Sequence, residues 1–306
     1  MDTLERILRR YAYRTDAPFL TAPTHELFDR GKLRPIGGGV FQRVYRLDGT
    51  PWVVKEARWD PAFPVGGMEV PLPGASLHQL LSVFATGLLP TQEETIRQYG
   101  EYLEFSRYFG WYAEIDDPDT FPDFAAVRAE QIAIRQRLME RIEDLEREYG
   151  AHLPSTLKDI LEGVDAAHNF LPREYLLWGP SMAPENEGKD TAFIVQEFAE
   201  GKTLHDMKEH ELFQEPWKGQ MTLLCYLILL LQFERGLLPD TRPRQPLWQS
   251  YDWLMKTDNI IAGGRGITFI DTRWLWRRGP NPVLRGFVIP ELMTQACLST
   301  IATLCD

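Results

Sequence analysis

At 306 residues, with 44% hydrophobic and 12% aromatic content, the chain is long enough to bury a sizeable core in one large domain or in two lobes. Its 33 Lys and Arg against 44 Asp and Glu give a net charge of -11. That argues against nucleic acid as a partner, because a chain-wide phosphate-binding footprint needs a concentrated basic excess. Three cysteines, Cys225, Cys297 and Cys305, are odd in number and lack metal-ligand spacing, so no disulfide framework is implied and a cytoplasmic location is expected.

The opening MDTLERILRRYAYR carries an Asp2 to Glu5 capping pattern, then Leu4, Ile7, Leu8 and Tyr11 on one face. An amphipathic helix is expected there rather than a signal peptide. A small β-rich lobe follows, with strands near residues 33–36, 41–47 and 52–56 and a tight Asp48-Gly49 turn between the last two. Between the first two strands stand Gly37, Gly38 and Gly39. With no Cβ in the way, main-chain N–H groups at glycines can approach and donate to phosphate oxygens, and Lys55 on the next strand supplies a positive point charge.

From about 61 to 165 the sequence changes to Pro/Gly-rich connections and helical stretches at 92–109 and 123–149, read as a helical insertion. In the second stretch Val127, Ile134, Leu138, Ile142, Leu145 and Tyr149 recur at helical spacing, and Gly150 ends it. Strands return at 175–178 and 191–198, followed by the polar turn AEGKTL and mainly helical sequence over 204–236. Within it the run 221–233, MTLLCYLILLLQF, is shorter than the roughly 20 residues a membrane span needs. Glu215-Pro216 before it and Gly236 after it are start and stop signals, so a buried central helix and no membrane span are expected.

A Pro-rich segment at 239–248 gives way to short apolar runs at 259–262 and 267–270, separated by Gly263, Gly264 and Gly266, which read as a hairpin. Only 35 residues follow Asp271, with one helix expected at about 290–304. A β-rich lobe followed by a helical one is class α+β, with domains at 1–198 and 199–306. His205, Asp206 and His210 suggest a metal cluster only superficially, since histidines five apart lie on different helix faces. Trp274 and Trp276 among Arg273, Arg277 and Arg278 read as core packing with a basic rim.

The order of these parts resembles the protein-kinase-like superfamily, closest in style to atypical bacterial and aminoglycoside-phosphotransferase-like kinases. GGGVFQRV at 37–44 resembles the kinase G-x-G-x-x-G-x-V loop, keeping glycines, the tip aromatic Phe41 and the closing Val44, with Gln42 in place of the third glycine. WVVK at 52–55 is similar to the V-A-I-K strand, which implies that Lys55 meets the α- and β-phosphates. QEFAEGKTL at 196–204 resembles the strand and hinge between lobes, implying that Glu197 and Phe198 offer backbone groups to an adenine edge. TDNII followed by ITFIDT resembles the catalytic-loop Asn and the metal-binding Asp, here Asn259 and Asp271. A helix carboxylate that pairs with Lys55 is implied at Glu101, with Glu104 as the alternative.

The resemblance implies a two-lobed kinase-like fold, ATP and Mg2+ as cofactors, and phosphoryl transfer to a small-molecule or protein hydroxyl. The chain also departs from the pattern. Five residues before Asn259, where kinases carry the base Asp, stands Leu254; Asp240, closing FERGLLPD, or Asp252 is the alternative base, and Lys256 is expected near the γ-phosphate. Thr272 and Arg273 replace the Phe-Gly of the kinase activation segment. The expected function is an ATP- and magnesium-dependent phosphotransferase with an unusual acceptor; the alternative is a pseudokinase, a nucleotide-binding regulatory or scaffold protein.

Overall fold

The computed structural model describes residues 3–13, 20–38, 42–58, 62–65, 68–71, 90–110, 129, 133–134, 136–137, 140, 170–212, 214, 217–241, 257–272, 274–277 and 297. The class is α+β, built on a five-stranded antiparallel sheet. The chain divides into two compact units: residues 1–100 with 173–198, and residues 101–172 with 199–306. The division expected from sequence at 198/199 coincides with one of these boundaries, and residues 101–172 group with the second unit.

In chain order the elements are α1 (Thr3–Tyr11), the single turn α2 (Thr24–Leu27), β1 (Leu33–Gly38), β2 (Gln42–Leu47), β3 (Trp52–Ala57), β4 (Ala62–Val65), β5 (Met68–Pro71) and α3 (Pro90–Phe109). There follow β6 (Glu174–Pro180), β7 (Asp190–Glu197), β8 (Lys202–Thr203), the single turn α4 (Glu209–Leu212), α5 (Trp217–Arg235), β9 (Leu237–Pro239), β10 (Ile260–Gly263), β11 (Gly266–Phe269) and β12 (Trp274–Arg277). In the first unit the sheet runs β1-β2-β3-β7-β6. The Asp48-Gly49 turn closes the β2–β3 hairpin, with Gly49 at φ +78, a value a side chain would resist.

Strand alternation sends successive side chains to opposite faces. On one face Leu47, Trp52, Val54, Tyr175, Leu177, Phe193 and Val195 join Leu8 of α1, Phe28, Ala22 and Met182 in the apolar core. The Trp52 and Tyr175 rings are 5.7 Å apart and Phe28 and Phe193 6.3 Å. Leu4, Leu8 and Tyr11 bring α1 onto this cluster, as its periodicity predicts. The register places Gln42, Val44, Lys55, Leu176, Ile194, Glu174 and Gln196 on the other face. There the contact with α3 is polar: Gln42 Nε2 donates to Thr95 Oγ1 at 3.1 Å and to Gln98 Oε1 at 3.0 Å, and Gln92 Nε2 donates to the Asp190 carbonyl at 3.2 Å.

The second unit is organised by α5, whose residues from Met221 to Gln232 are all buried, including Cys225 at 0% exposure. Gly236 ends the helix at φ +63, its N–H donating to the Gln232 carbonyl at 3.1 Å. No helix among the described residues is long and apolar enough to cross a membrane. Two small sheets complete the unit, β11-β10-β8 and β12-β9. Phe105, Phe109 and Phe269 stack with centroids 5.0 to 5.7 Å apart. The main chain runs so close at one point that a Cβ on Gly263 would lie 1.7 Å from the Glu200 carbonyl oxygen, and one on Gly201 2.1 Å from that of Ala262.

Several local expectations change. The start of the presumed helical insertion is a two-stranded hairpin, β4 pairing with β5, where prolines are tolerated because, among the described residues, each strand is paired along one edge alone. Residues 204–236 are interrupted by turns before α5. The start of the Pro-rich segment is strand β9, paired with the Trp274–Arg277 strand. Of the helix expected at 123–149, residues 129, 133, 134, 136, 137 and 140 are helical; the remainder, and the helix expected at 290–304 apart from Cys297, lie outside the described residues.

Candidate functional site

Gly37 and Gly38 end β1 opposite Val44 and Arg43. The register slips between Pro35 and Gly37, so Ile36 is a bulged residue, 46% exposed, and the strand twists at the approach to the glycines. A Cβ built on Gly37 meets nothing within 4 Å, and its φ is not in the positive range. Packing among the described residues therefore does not demand glycine there. Gly39 and Phe41 lie outside the described residues.

Lys55 sits between Val44 of β2 and Ile194 of β7, in a strand buried throughout, and is 8% exposed. A lysine at the centre of a sheet is costly unless its charge is met. Its neighbour Glu56 faces the apolar side, where it accepts from the Ser181 hydroxyl and, at 3.1 Å, from the Met182 N–H. Burial pushes the Glu56 carboxyl above the usual carboxylate range against these donors.

At the end of β7 the Glu197 N–H donates to the Arg173 carbonyl at 2.8 Å and the Phe198 N–H to the Pro51 carbonyl at 2.7 Å. Both amides are thus spent inside the unit and are not the donors that the sequence resemblance expects. The Arg46 guanidinium lies 3.8 Å over the Phe198 ring. Arg173 forks the Glu197 carboxylate at 3.1 and 3.3 Å and donates to Glu5 Oε1 at 2.6 Å. The same Glu5 oxygen accepts from Arg9 at 2.9 Å and from the Tyr175 hydroxyl at 3.2 Å. Burial opposes ionisation of Glu5, but the hydrogen bond from Arg9 and the charges of Arg173 and Arg9 hold its carboxyl below the usual range. Burial, partly offset by Arg9, pushes the Tyr175 phenol up to about 12.

In the second unit three of the predicted residues meet at strand ends. Asp240 follows β9, Asn259 precedes β10 and Asp271 follows β11 by two residues. Asn259 Nδ2 donates to the Asp240 backbone carbonyl at 2.9 Å across 19 residues of sequence. The Asn259 N–H donates to Thr257 Oγ1 at 3.1 Å, and its carbonyl accepts from the Ile270 N–H at 2.8 Å, next to Asp271. The hairpin carrying them is fixed to α5: Gln220 Oε1 accepts from the Ile267 N–H at 2.8 Å and Trp217 Nε1 donates to the Gly263 carbonyl at 3.2 Å. Asp252 and Lys256 lie outside the described residues.

With Nδ2 donating to the Asp240 carbonyl, the Asn259 side chain keeps Oδ1 as an oxygen acceptor, and Asp271 carries a carboxylate two residues past β11. Both are the hard oxygen donors that magnesium takes. Among the described residues no group of three or more His, Cys, Asp or Glu side chains could hold a metal. On α3, Glu101 is buried at 7% exposure and Glu104 half-buried.

Sequence reading missed Arg173, the Glu174–Gln196 pair on the polar face, and the Gln42 linkage. The last had a signal: Gln92, Thr95 and Gln98 continue the same helical stripe as Tyr102, Phe105 and Phe109, so a polar half-stripe was bound to face something polar. Comparison with protein-family models, with curated proteins and with solved structures finds no match.

Proposed function

We propose that the protein is an ATP- and magnesium-dependent phosphotransferase of the two-lobed kinase-like fold, acting on a small-molecule or otherwise unusual hydroxyl acceptor. The observation that carries this reading is the hydrogen bond from Asn259 to the Asp240 main chain, which joins the metal-ligand candidate to one of the two base candidates despite their distance in sequence. The open backbone at Gly37 and the buried lysine on the adjoining strands support it further.

In this mechanism the N–H groups of Gly37 and Gly38 and the Lys55 ammonium bind phosphate oxygens. Asn259 and Asp271 would hold magnesium, which would neutralise charge on the phosphates. The acceptor oxygen forms a bond to the γ-phosphorus as the bond to the β–γ bridging oxygen breaks and ADP leaves. Asp240 takes the acceptor's proton, and its main chain, tied to Asn259, keeps that carboxylate in register with the metal ligands.

The test uses the purified full chain. Magnesium-dependent ATP stabilisation in a thermal shift is expected for the wild type and lost in Asp271→Asn. Asp240→Asn should keep the ATP shift while ATP turnover falls about 10²- to 10⁴-fold. A wild type that binds ATP with no turnover would point instead to a pseudokinase, and intact-mass analysis of acceptors separates a gain of phosphate from a gain of AMP.

A further inference from the structure

We propose that Gln42 is a positioning residue for the nucleotide: it ties the glycine hairpin to helix α3, so that the helix, rather than the pliancy of a glycine turn, sets where the phosphate-binding backbone stands. The proposal rests on the nucleotide-binding reading above.

Gln42 is the first residue of β2, four positions after Gly38, and its neighbour Arg43 pairs with Gly38. Its Nε2 bonds two acceptors on successive turns of α3, Thr95 Oγ1 at 3.1 Å and Gln98 Oε1 at 3.0 Å. Gln42, Thr95 and Gln98 are 6%, 0% and 1% exposed, so the amide is shielded from water that could substitute for either acceptor. A leucine or methionine would fill the same space with no polar group to satisfy. What the amide adds is direction, since a two-acceptor bond from one nitrogen fixes both the distance and the tilt of the strand against the helix.

The helix is itself anchored, because Gln92, one turn before Thr95, donates to the carbonyl of Asp190 at the start of β7. The linkage therefore runs from the sheet through α3 and back to the hairpin end of β2. A glycine at this position has no side chain with which to reach α3, and its hairpin would pay more ordering entropy on gripping a triphosphate.

The experiment compares ATP and adenosine binding to the full-length wild type, Gln42→Met and Gln42→Glu by calorimetry with magnesium present. Methionine keeps the length and volume but donates nothing. Glutamate restores a pair of hydrogen bonds by accepting from the Thr95 hydroxyl and from a turned Gln98 amide. Gln42→Met is expected to weaken ATP about tenfold, the loss of one or two directed hydrogen bonds, while adenosine, which lacks the phosphates the hairpin holds, binds as before. Gln42→Glu is expected to recover most of the ATP affinity. Unchanged ATP affinity in Gln42→Met, or an equal loss for ATP and adenosine, overturns the proposal. Should Gln42→Met fail to fold, Gln42→Glu decides: ATP affinity within threefold of wild type supports the proposal, and a larger loss overturns it. Failure of the wild type to bind ATP would overturn the nucleotide reading first, and this proposal with it.

Discussion

The two faces of the five-stranded sheet are buried to similar extents with opposite chemistry. The face toward α1 is a packed cluster of Trp52, Val54, Tyr175, Phe193 and Val195 with Leu8 and Phe28, bordered at one end by the Glu5, Arg173 and Glu197 ion network. The face toward α3 buries Gln42, Lys55, Glu174 and Gln196, with aliphatic side chains between them. Hydrophobic burial is insensitive to direction, so the first face can hold elements together while fixing their orientation only loosely. Buried amides and charges stabilise little and must be satisfied, so the second face sacrifices stability for defined geometry. The α1 face thus holds the unit together, while the α3 face sets how its elements are oriented.

Substitutions on the two faces should separate stability from binding. The largest expected effect is on the apolar face: Phe193→Ala, at 0% exposure beside Phe28, should cost about 3 to 5 kcal/mol in denaturant unfolding. A cost below about 1 kcal/mol would show that this cluster is not what holds the unit.

Next comes the ion network. Three donors converge on one Glu5 oxygen, so Glu5→Gln should cost on the order of 1 to 2 kcal/mol at pH 7. Because the native carboxyl titrates below its ordinary value of about 4.3, that contribution is complete above this value and is lost as pH falls through the lowered one. The gap between wild-type and Glu5→Gln denaturant midpoints should therefore close on acidification, and a gap independent of pH would refute the assignment. At the alkaline end Tyr175, neutral in the fold up to about 12, contributes stability below pH 10 that disappears as pH rises toward 12.

The most specific effect is expected for Lys55→Met on the polar face. Replacing the buried ammonium should abolish the ATP-dependent thermal shift on which the phosphotransferase proposal depends. An ATP shift left intact would overturn the role assigned to Lys55.

Much of the fold was readable wherever one local rule dominated. Alternation and the Asp48-Gly49 turn located the three early strands; the closely spaced glycines located the β10–β11 hairpin; uniform apolarity and the stop at Gly236 located α5. What escaped was tertiary in origin. β8, β9 and β12 are only two to four residues long and exist because a distant partner completes their hydrogen bonds, as Leu238 does opposite Trp276. The prolines of β4 and β5 concealed a hairpin. At the candidate site it was the resemblance of TDNII and ITFIDT to kinase motifs that singled out Asn259 and Asp271, and no spacing rule could reveal the hydrogen bond from Asn259 to the Asp240 main chain, or that Arg173 had already engaged Glu197.

Cys225 gives the second unit an internal clock. Its thiol sits in the middle of α5, enclosed on every side, and cannot meet an alkylating reagent while that helix keeps its neighbours. Site-resolved alkylation of this position, followed over hours in native buffer, would count spontaneous openings of the surroundings of α5.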